Sequence, residues 1–196
     1  MPTLTPLVTE EAILARVREI GAAIRADAGD QPVVLLAVLK GAYPFLADLS
    51  RAIEGPVEVD FMQVKSWDGE MQSSGIVKIV KDHDVEIRDR YVVIVEDIID
   101  TGLTLTYLRE FLGSRQPASL KVAAMFSKPQ ARIHSTPVEY IGFEIENQFV
   151  VGYGLDYAER YRNLPYVAVL SLDPSDSAES SQHALPFESG EALPSA

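Results

Sequence analysis

The sequence contains no cysteine among its 196 residues. Disulfide bonds, thiolate nucleophiles and cysteine-ligated metals are therefore excluded. No apolar run approaches the roughly 18 residues that a membrane-spanning helix needs, and the first residues lack the basic region and apolar stretch of a secretory signal. From these absences we expect a cytoplasmic protein that makes no membrane contact.

Basic residues are also scarce, since 17 Lys and Arg stand against 29 Asp and Glu, for a net charge of −12. Binding to nucleic acid needs a basic face for the phosphates, so we expect no nucleic-acid partner. A phosphorylated ligand of such an acidic protein must be bound by a local concentration of positive potential. Backbone N–H groups, a few Lys or Arg and metal ions are its possible sources.

Short apolar runs are plentiful and alternate with helical patterns. The runs 33–39 and 91–95 have the length and branched residues of strands that are buried on both faces. Other predicted strands are 57–61, 76–81, 121–126, 138–143 and 166–170, and predicted helices are 9–27, 44–53 and 104–112. This order predicts an α/β fold with a mostly parallel, doubly wound sheet. The polar segment 66–75 is interpreted as the loop of one antiparallel hairpin.

The length suits one domain, which we place at residues 1–173. From residue 174 to 196 the composition changes to Ser, Ala, Pro and Glu, and this acidic tail is predicted to be disordered. The three histidines, His83, His134 and His183, are scattered without metal-ligand spacing and are each predicted to lie on the surface.

One segment combines a buried strand, acidic residues and a glycine before a helix: Val95-Glu96-Asp97-Ile98-Ile99-Asp100-Thr101-Gly102-Leu103-Thr104. In open α/β sheets, ligands bind beyond the carboxyl ends of the strands, and a helix start attracts phosphate. The upstream acids can accept hydrogen bonds from sugar hydroxyls. A sugar phosphate fits this pattern, although the acids alone are also compatible with a solvated loop.

This segment resembles the phosphoribosyl diphosphate signature of type I phosphoribosyltransferases, in their hypoxanthine-guanine branch. Further matches follow in order: Leu39-Lys40-Gly41, Lys65-Ser66-Trp67, Phe126-Ser127-Lys128, and Phe149 to Tyr157 with Arg162. Together they cover about residues 33–170. The resemblance implies the fold of that family, a mostly parallel twisted sheet flanked by helices, with a small hood and a hairpin lid loop.

The family moves ribose 5-phosphate from phosphoribosyl diphosphate to a purine nitrogen and releases pyrophosphate. The resemblance implies Mg²⁺ as cofactor, with Glu96, Asp97 and Asp156 as metal ligands, the first two also at the ribose hydroxyls. It places Asp100 near the purine N7 as the catalytic acid/base. Substrate contacts, chiefly to the 5′-phosphate, are implied for Ile99, Asp100, Thr101, Gly102, Leu103 and Thr104.

The other matches imply contacts with the leaving group and the base. Lys40, Gly41 and Arg162 would bind pyrophosphate, and the Leu39–Lys40 peptide can be cis in this family. Lys128 would donate to the purine 6-oxo group, Phe149 would stack on the ring, and the backbone of Val150 would face its edge. Ser66 and Trp67 would belong to the lid. The family often has Ser-Tyr where this chain has Ser66-Trp67, and some members have Lys in place of Leu103.

The implied activity converts hypoxanthine and guanine to IMP and GMP, and the family usually forms homodimers or homotetramers. A xanthine-preferring or guanine-restricted enzyme is the nearest alternative, because the discriminating contacts are mostly made by the backbone. A nucleotide-sensing regulator on the same fold and an uninvolved structural domain are more distant alternatives.

Overall fold

The computed structural model describes residues 2–66 and 77–171. Its elements in chain order are β1 (Thr3–Val8), α1 (Glu10–Ala28), β2 (Val33–Leu39), α2 (Tyr43–Ala52), β3 (Val57–Ser66), β4 (Val77–Lys81), β5 (Tyr91–Ile99), α3 (Leu103–Gly113), β6 (Ser119–Ser127), a 3₁₀ turn (Pro129–Ala131), β7 (Tyr140–Glu144), β8 (Val150–Val151) and β9 (Val167–Ser171). The tail predicted for 174–196 lies outside the described residues, as does the loop predicted for 66–75 apart from its first residue.

The central sheet has six strands in the order β4-β3-β2-β5-β6-β7. All neighbours in it are parallel except β3 and β4, which form the predicted antiparallel hairpin. The side chains of β2 alternate between two hydrophobic clusters, with Leu35 and Ala37 in one and Val34 and Leu36 in the other. This double burial explains why the strand is a continuous apolar run.

Helices cover both faces of the sheet, as a doubly wound fold requires. The helix α1 begins after Thr9, whose side chain accepts a hydrogen bond from the Ala12 backbone N–H, and it ends at Gly29 with a φ of +59°. Its buried residues join α2 in the cluster on one face, while α3 contributes Leu105 and Leu108 to the cluster on the other. None of the three described α-helices has the length and apolar character that crossing a membrane requires.

A second, smaller sheet of three antiparallel strands has the order β1-β9-β8 and forms the hood. We predicted β9 but not β1 or β8. The pattern of β1 is weak because Pro6 interrupts it, and the register with β9 shifts between Pro6 and Val8. β8 has two residues, too few for any periodic signal.

Two strands extend further than predicted. β5 continues past Val95 to Ile99, because Glu96, Ile98 and Ile99 keep their pairing with β6. β3 continues to Ser66, since it is paired on one side by β2 and on the other by β4. Glu96 and Asp97 therefore lie near the end of a paired strand and not in a free loop.

The surface position predicted for His83 is wrong. Its side chain is 5% exposed, because Arg115 contacts its Nε2 and the Val85 carbonyl oxygen lies 2.8 Å from its Nδ1. His134 is exposed, as predicted, and His183 lies outside the described residues.

Candidate active site

The predicted site residues gather at one edge of the central sheet. β2, β5 and β6 run parallel, so their carboxyl ends at Leu39, Ile99 and Ser127 lie side by side. The hood places Val150 and the segment that follows it over the same edge. This is the position at which open α/β sheets bind ligands.

The loop from Asp100 to Thr104 joins β5 to α3 and forms a small cavity at the helix start. Gly102 has a φ of +84°, and a Cβ there would lie 2.7 Å from the His134 carbonyl oxygen, so only glycine fits. The Thr101 carbonyl oxygen accepts hydrogen bonds of 3.0 Å from the backbone N–H groups of Ile133 and His134. The loop is thus fixed in place before any ligand arrives.

The first turn of α3 is free to bind an anion. Its N-cap, Gly102, has no side chain to cap the helix, and within the described residues only the Leu103 N–H of this turn donates to a side chain, to Oγ1 of Thr101 over a long 3.4 Å. Unpaired N–H groups and the positive end of the helix dipole therefore face the cavity, which Glu96, Thr101 and Thr104 also line. Leu103, the first residue of α3, does not weaken this site because the donors belong to the backbone.

A cleft of about 290 Å³ adjoins this loop. It is lined by Asp97, Ile98, Asp100, Lys128, Phe149, Val150, Leu155 and Asp156. The structure therefore brings together residues from β5, β6 and the hood that are up to 59 positions apart in the sequence. Leu155 is an apolar wall that the sequence patterns did not single out.

Lys128 is buried, in contrast to an ordinary surface lysine. Its side chain is 10% exposed, and its ammonium lies 3.9 Å from Oδ2 of Asp100. Its backbone N–H donates to the Ile99 carbonyl oxygen at 2.9 Å, which ties the end of β6 to the end of β5. Because its carboxylate neighbour is as far as 3.9 Å, this ammonium at the wall of the cleft can donate hydrogen bonds to an acceptor in the cleft.

Phe149 is the opposite case, an aromatic ring that is 53% exposed at the wall of the cleft. Its edge-to-face neighbour is Tyr157, with ring centroids 5.8 Å apart and an interplanar angle of 88°. Tyr157 fixes the orientation of the ring while leaving apolar surface uncovered. An exposed, oriented aromatic ring suits a flat heterocycle.

The loop after β2 packs against Asp97, one of the residues that line the cleft. The Leu39–Lys40 peptide is cis. A Cβ on Gly41 would lie 1.5 Å from Oδ2 of Asp97, and a Cβ on Gly154 would lie 1.9 Å from the Gly41 carbonyl oxygen. These close approaches pack the loop directly against the acidic strand and against the segment that carries Asp156.

Two cations extend from this region. Arg162 donates to the Gly154 carbonyl oxygen at 2.7 Å and pairs with Oδ1 of Asp156 at 2.8 Å. Lys40 pairs with Glu159 at 3.0 Å, and Arg162 also contacts Glu159 at 3.4 Å. Hydrogen bonds from Lys40, which has the larger effect, and from Arg162 hold the pKa of Glu159 below its usual value.

The neighbouring carboxyls of Glu96 and Asp97 both have raised pKa values. Burial raises the pKa of Glu96 well above its usual value, and the nearby Asp97 raises it further. Burial also raises the pKa of Asp97 to about 6, with Asp156 adding to the effect, while the Ile98 N–H and Arg162 oppose it. Positive charge beside these carboxylates would relieve the repulsion.

A divalent cation fits this donor set, although the structure shows no preformed cage. Asp97 and Asp156 line the cleft, while Glu96 lines the adjoining cavity at the start of α3. Within residues 2–66 and 77–171, no three His, Cys, Asp or Glu side chains are grouped closely enough to hold a metal by themselves. Mg²⁺ needs few protein ligands when phosphate oxygens supply the rest, so hard oxygen donors from two side chains suffice.

Only one of the two residues predicted for the lid lies within the described residues. Ser66 is the last residue of β3 and pairs with Val77 through the backbone. Trp67 lies outside the described residues.

Arg132 and Glu159 contact the site but were not predicted. The aliphatic part of Arg132 packs near Gly102, and its guanidinium donates to Oγ of Ser127 at 2.9 Å. Glu159 lies in a turn where both Ala158 and Glu159 have positive φ, a conformation that the sequence pattern does not indicate. The matched residues Phe149 to Tyr157 and Arg162 lie on either side of Glu159 in the sequence, but the match does not include Glu159.

Comparison with known proteins adds independent information. A family model described as the phosphoribosyl transferase domain matches residues 5–158. The chain is similar to the hypoxanthine-guanine phosphoribosyltransferase of Streptococcus agalactiae, with 50% identity over 164 residues that cover 84% of this chain and 91% of that protein. The Bacillus subtilis protein of the same name is 48% identical over 164 residues, with 84% and 91% covered. A crystal structure of a hypoxanthine-guanine phosphoribosyltransferase from Bacillus anthracis superposes with a TM-score of 0.82 at 39% identity, over 88% of this chain and 100% of that chain.

Proposed function

The chain belongs to the phosphoribosyl transferase family, in its hypoxanthine-guanine branch, and we propose that it is a purine salvage enzyme. It transfers the 5-phosphoribosyl group from phosphoribosyl diphosphate to hypoxanthine and guanine. The products are IMP or GMP together with pyrophosphate. Its class is that of the pentosyltransferases.

One observation carries the assignment: the start of α3 faces a cavity, and the Lys128 ammonium and the exposed Phe149 ring line an adjoining cleft that shares Ile98 and Asp100 with that cavity. The helix start at Gly102 suits a phosphate. Lys128 and Phe149 suit a flat ring with a hydrogen-bond acceptor. Asp100 lines both the phosphate cavity and the cleft, so it lies where the sugar must join the base.

The transition state of such a transfer resembles an oxocarbenium ion, so catalysis depends on positioning and on stabilising the leaving group. The backbone of residues 100–104 holds the 5′-phosphate, and Glu96 and Asp97 accept hydrogen bonds from the ribose hydroxyls. Lys40, the backbone of Gly41 and Arg162 bind the pyrophosphate. These contacts fix the sugar between its leaving group and the incoming nitrogen.

Asp97 and Asp156 would hold Mg²⁺ with phosphate oxygens, with Glu96 beside them at the ribose. The metal, when bound, neutralises the charge that develops on the leaving pyrophosphate. The raised pKa values of Glu96 and Asp97 support this assignment, since burial raises both and the one positive charge that opposes it, Arg162, acts on Asp97 alone.

The base is selected by charge and shape. The Lys128 ammonium has three donors and no acceptor, so it favours a 6-oxo group and disfavours the 6-amino group of adenine. Phe149 stacks on the ring, and the Val150 backbone meets its edge. Asp100 serves as the acid/base partner of N7, because the incoming ring must lose or relocate a proton as it bonds.

Three further expectations remain proposals. We propose that the enzyme is cytoplasmic, that it forms a homodimer or homotetramer, and that Ser66 and Trp67 belong to a lid. Light scattering on the purified chain tests the second of these.

Side-by-side rates test the function itself. Purified protein with Mg²⁺ and phosphoribosyl diphosphate is given hypoxanthine, guanine, xanthine or adenine, and nucleotide formation is followed by absorbance. We expect turnover of hypoxanthine and guanine and none of adenine. A preference for xanthine would support the alternative enzyme, and no turnover of any 6-oxopurine would contradict the assignment.

A further inference from the structure

Glu159 bridges the side-chain cations of Lys40 and Arg162. Its Oε2 accepts a hydrogen bond from Nζ of Lys40 at 3.0 Å, and its Oε1 lies 3.4 Å from Nη2 of Arg162. The two cations come from segments far apart in the sequence, one after β2 and the other beyond the hood strand β8. One carboxylate therefore holds both in a single group.

Lys40 and Arg162 contact the Glu159 carboxylate as cations contact a bound anion. Under the proposed function, on which this inference rests, Lys40 and Arg162 bind the pyrophosphate of the substrate and product. A carboxylate offers them two anionic oxygens, the same kind of partner that a phosphate group offers. Glu159 thus occupies, with its own oxygens, the contacts that pyrophosphate needs.

We propose that Glu159 is a displaceable internal anion that keeps Lys40 and Arg162 together in the free enzyme and competes with pyrophosphate for them. It sets the affinity of the pyrophosphate site. It takes no part in bond making or breaking.

The exposure of the partners makes the contact displaceable. The side chains of Glu159 and Lys40 are 64% and 56% exposed, and ion pairs in such contact with water are weak. The neighbouring pair is different, since Arg162 and Asp156 are 19% and 29% exposed and lie 2.8 Å apart. Displacement of Glu159 therefore leaves Arg162 held by Asp156.

The backbone of Glu159 provides a fixed hinge for this movement. Its N–H donates to Oδ2 of Asp156 at 2.9 Å. The turn around it is closed by two hydrogen bonds between Tyr157 and Arg160, at 3.0 and 3.1 Å. The side chain can leave the cations by rotation alone, without any rearrangement of the loop that carries Asp156.

Substitution of the carboxylate by a neutral amide tests the competition. Glu159→Gln keeps the shape of the side chain but removes its charge, so pyrophosphate no longer competes with it. Because the ion pairs of Glu159 with the exposed Lys40 and with the more buried Arg162 are both lost, we expect pyrophosphate to bind about three- to tenfold more tightly. The gain should shrink at high salt, where exposed ion pairs are screened.

Glu58→Gln is a matched control. Glu58 is half exposed and forms an ion pair of 2.5 Å with Arg90. It lies near the start of β3, at the opposite end of the strand from the site. The same change of charge and the loss of one exposed ion pair should leave pyrophosphate affinity unchanged.

The experiment is calorimetric titration of inorganic pyrophosphate with Mg²⁺ into the wild-type chain and both variants. Tighter binding by Glu159→Gln, with Glu58→Gln equal to wild type, supports the inference. Equal or weaker binding by Glu159→Gln overturns it, since weaker binding would mean that Glu159 positions the cations and does not compete. No binding by the wild type would contradict the proposed pyrophosphate site itself, and the inference with it.

Steady-state kinetics gives a second readout that a merely structural role would not produce. We expect Glu159→Gln to lower the KM for phosphoribosyl diphosphate and to strengthen product inhibition by pyrophosphate, with the KM for hypoxanthine unchanged. A parallel loss of kcat and rise of every KM would show damage to the fold and would overturn the competition.

Discussion

Replacement of Asp97 by asparagine should stabilise the free protein while it weakens the site. Burial raises the pKa of the Asp97 carboxyl from its usual 3.8 to about 6, with the charge of Asp156 adding to the effect. Each pKa unit corresponds to about 1.4 kcal/mol, so the ionised carboxylate destabilises the fold by about 3 kcal/mol. Asp97 is half-buried, and its contact with solvent reduces the expected gain to about 1–3 kcal/mol.

The sign of the pH dependence follows from the raised pKa. A carboxyl whose pKa is higher in the folded state does not affect the free energy of unfolding below its unfolded pKa. Above its folded pKa it lowers that free energy by the full amount. The advantage of Asp97→Asn should therefore be small near pH 4 and largest above about pH 7. For a chain of this length, about 1–3 kcal/mol corresponds to a rise in Tm of roughly 2–12 °C.

The geometry allows this exchange. Oδ1 of Asp97 accepts a hydrogen bond of 2.8 Å from the Ile98 backbone N–H, and an asparagine oxygen can accept the same bond. The loss of charge also relieves Glu96, whose pKa Asp97 raises.

Thermal unfolding followed by circular dichroism, with EDTA present and substrate absent, measures the effect at several pH values. Asp27→Asn is a control of opposite sign, because the hydrogen bond from the Tyr140 hydroxyl, aided by Lys121, lowers the pKa of Asp27. That variant should lose stability at neutral pH and approach wild type in acid. A Tm for Asp97→Asn that is below wild type, or a gain that does not vary with pH, would refute the reasoning.

Four further predictions concern activity. Asp100→Asn should lower kcat far more than it weakens phosphoribosyl diphosphate binding, and equal losses in kinetics and titration would point to a purely structural carboxylate. Lys128→Met removes a buried donor and should raise the KM for hypoxanthine about 10- to 100-fold, with little change in the KM for phosphoribosyl diphosphate; a change in the latter alone would argue against the assigned role. Gly41→Ala should abolish turnover, since its Cβ would lie 1.5 Å from Oδ2 of Asp97, and an active variant would show that the loop yields. Deletion of the residues after Asp173 should leave kcat within about twofold, whereas a large loss would show that the tail contributes to the site.

Local patterns predicted much of the central sheet. The run 33–39 matched β2 residue for residue because burial on both faces leaves an unbroken apolar signature. The predicted helix 9–27 agrees with α1 because its end signals are also local, since the Thr9 cap and the stop at Gly29 each act within one turn of their own position.

The hood shows where such patterns fail. β1 pairs with β9 across 159 to 168 positions of the sequence, so no local periodicity indicates the pairing. The extension of β5 to Ile99 likewise depends on its neighbour β6, and it turned a predicted loop position of Glu96 and Asp97 into a strand position.

Motifs predicted residues that the structure places at the cleft, but they did not predict how tertiary packing buries or exposes those residues. The motifs pointed to Lys128 and Phe149. Their suitability for a ligand depends on the burial of Lys128 and the exposure of Phe149, and no local sequence pattern indicates either. Glu159 shows the same limit, since its two cationic partners meet it through the turn geometry of the hood segment.

The central claim is that this chain joins a phosphoribosyl group to a 6-oxopurine. The most direct measurement mixes purified enzyme, Mg²⁺, phosphoribosyl diphosphate and hypoxanthine, and quantifies IMP and pyrophosphate in the same sample over time. We predict that both products form in equal amounts and that adenine in place of hypoxanthine gives neither. Pyrophosphate release without IMP, or the absence of both products, would contradict the claim.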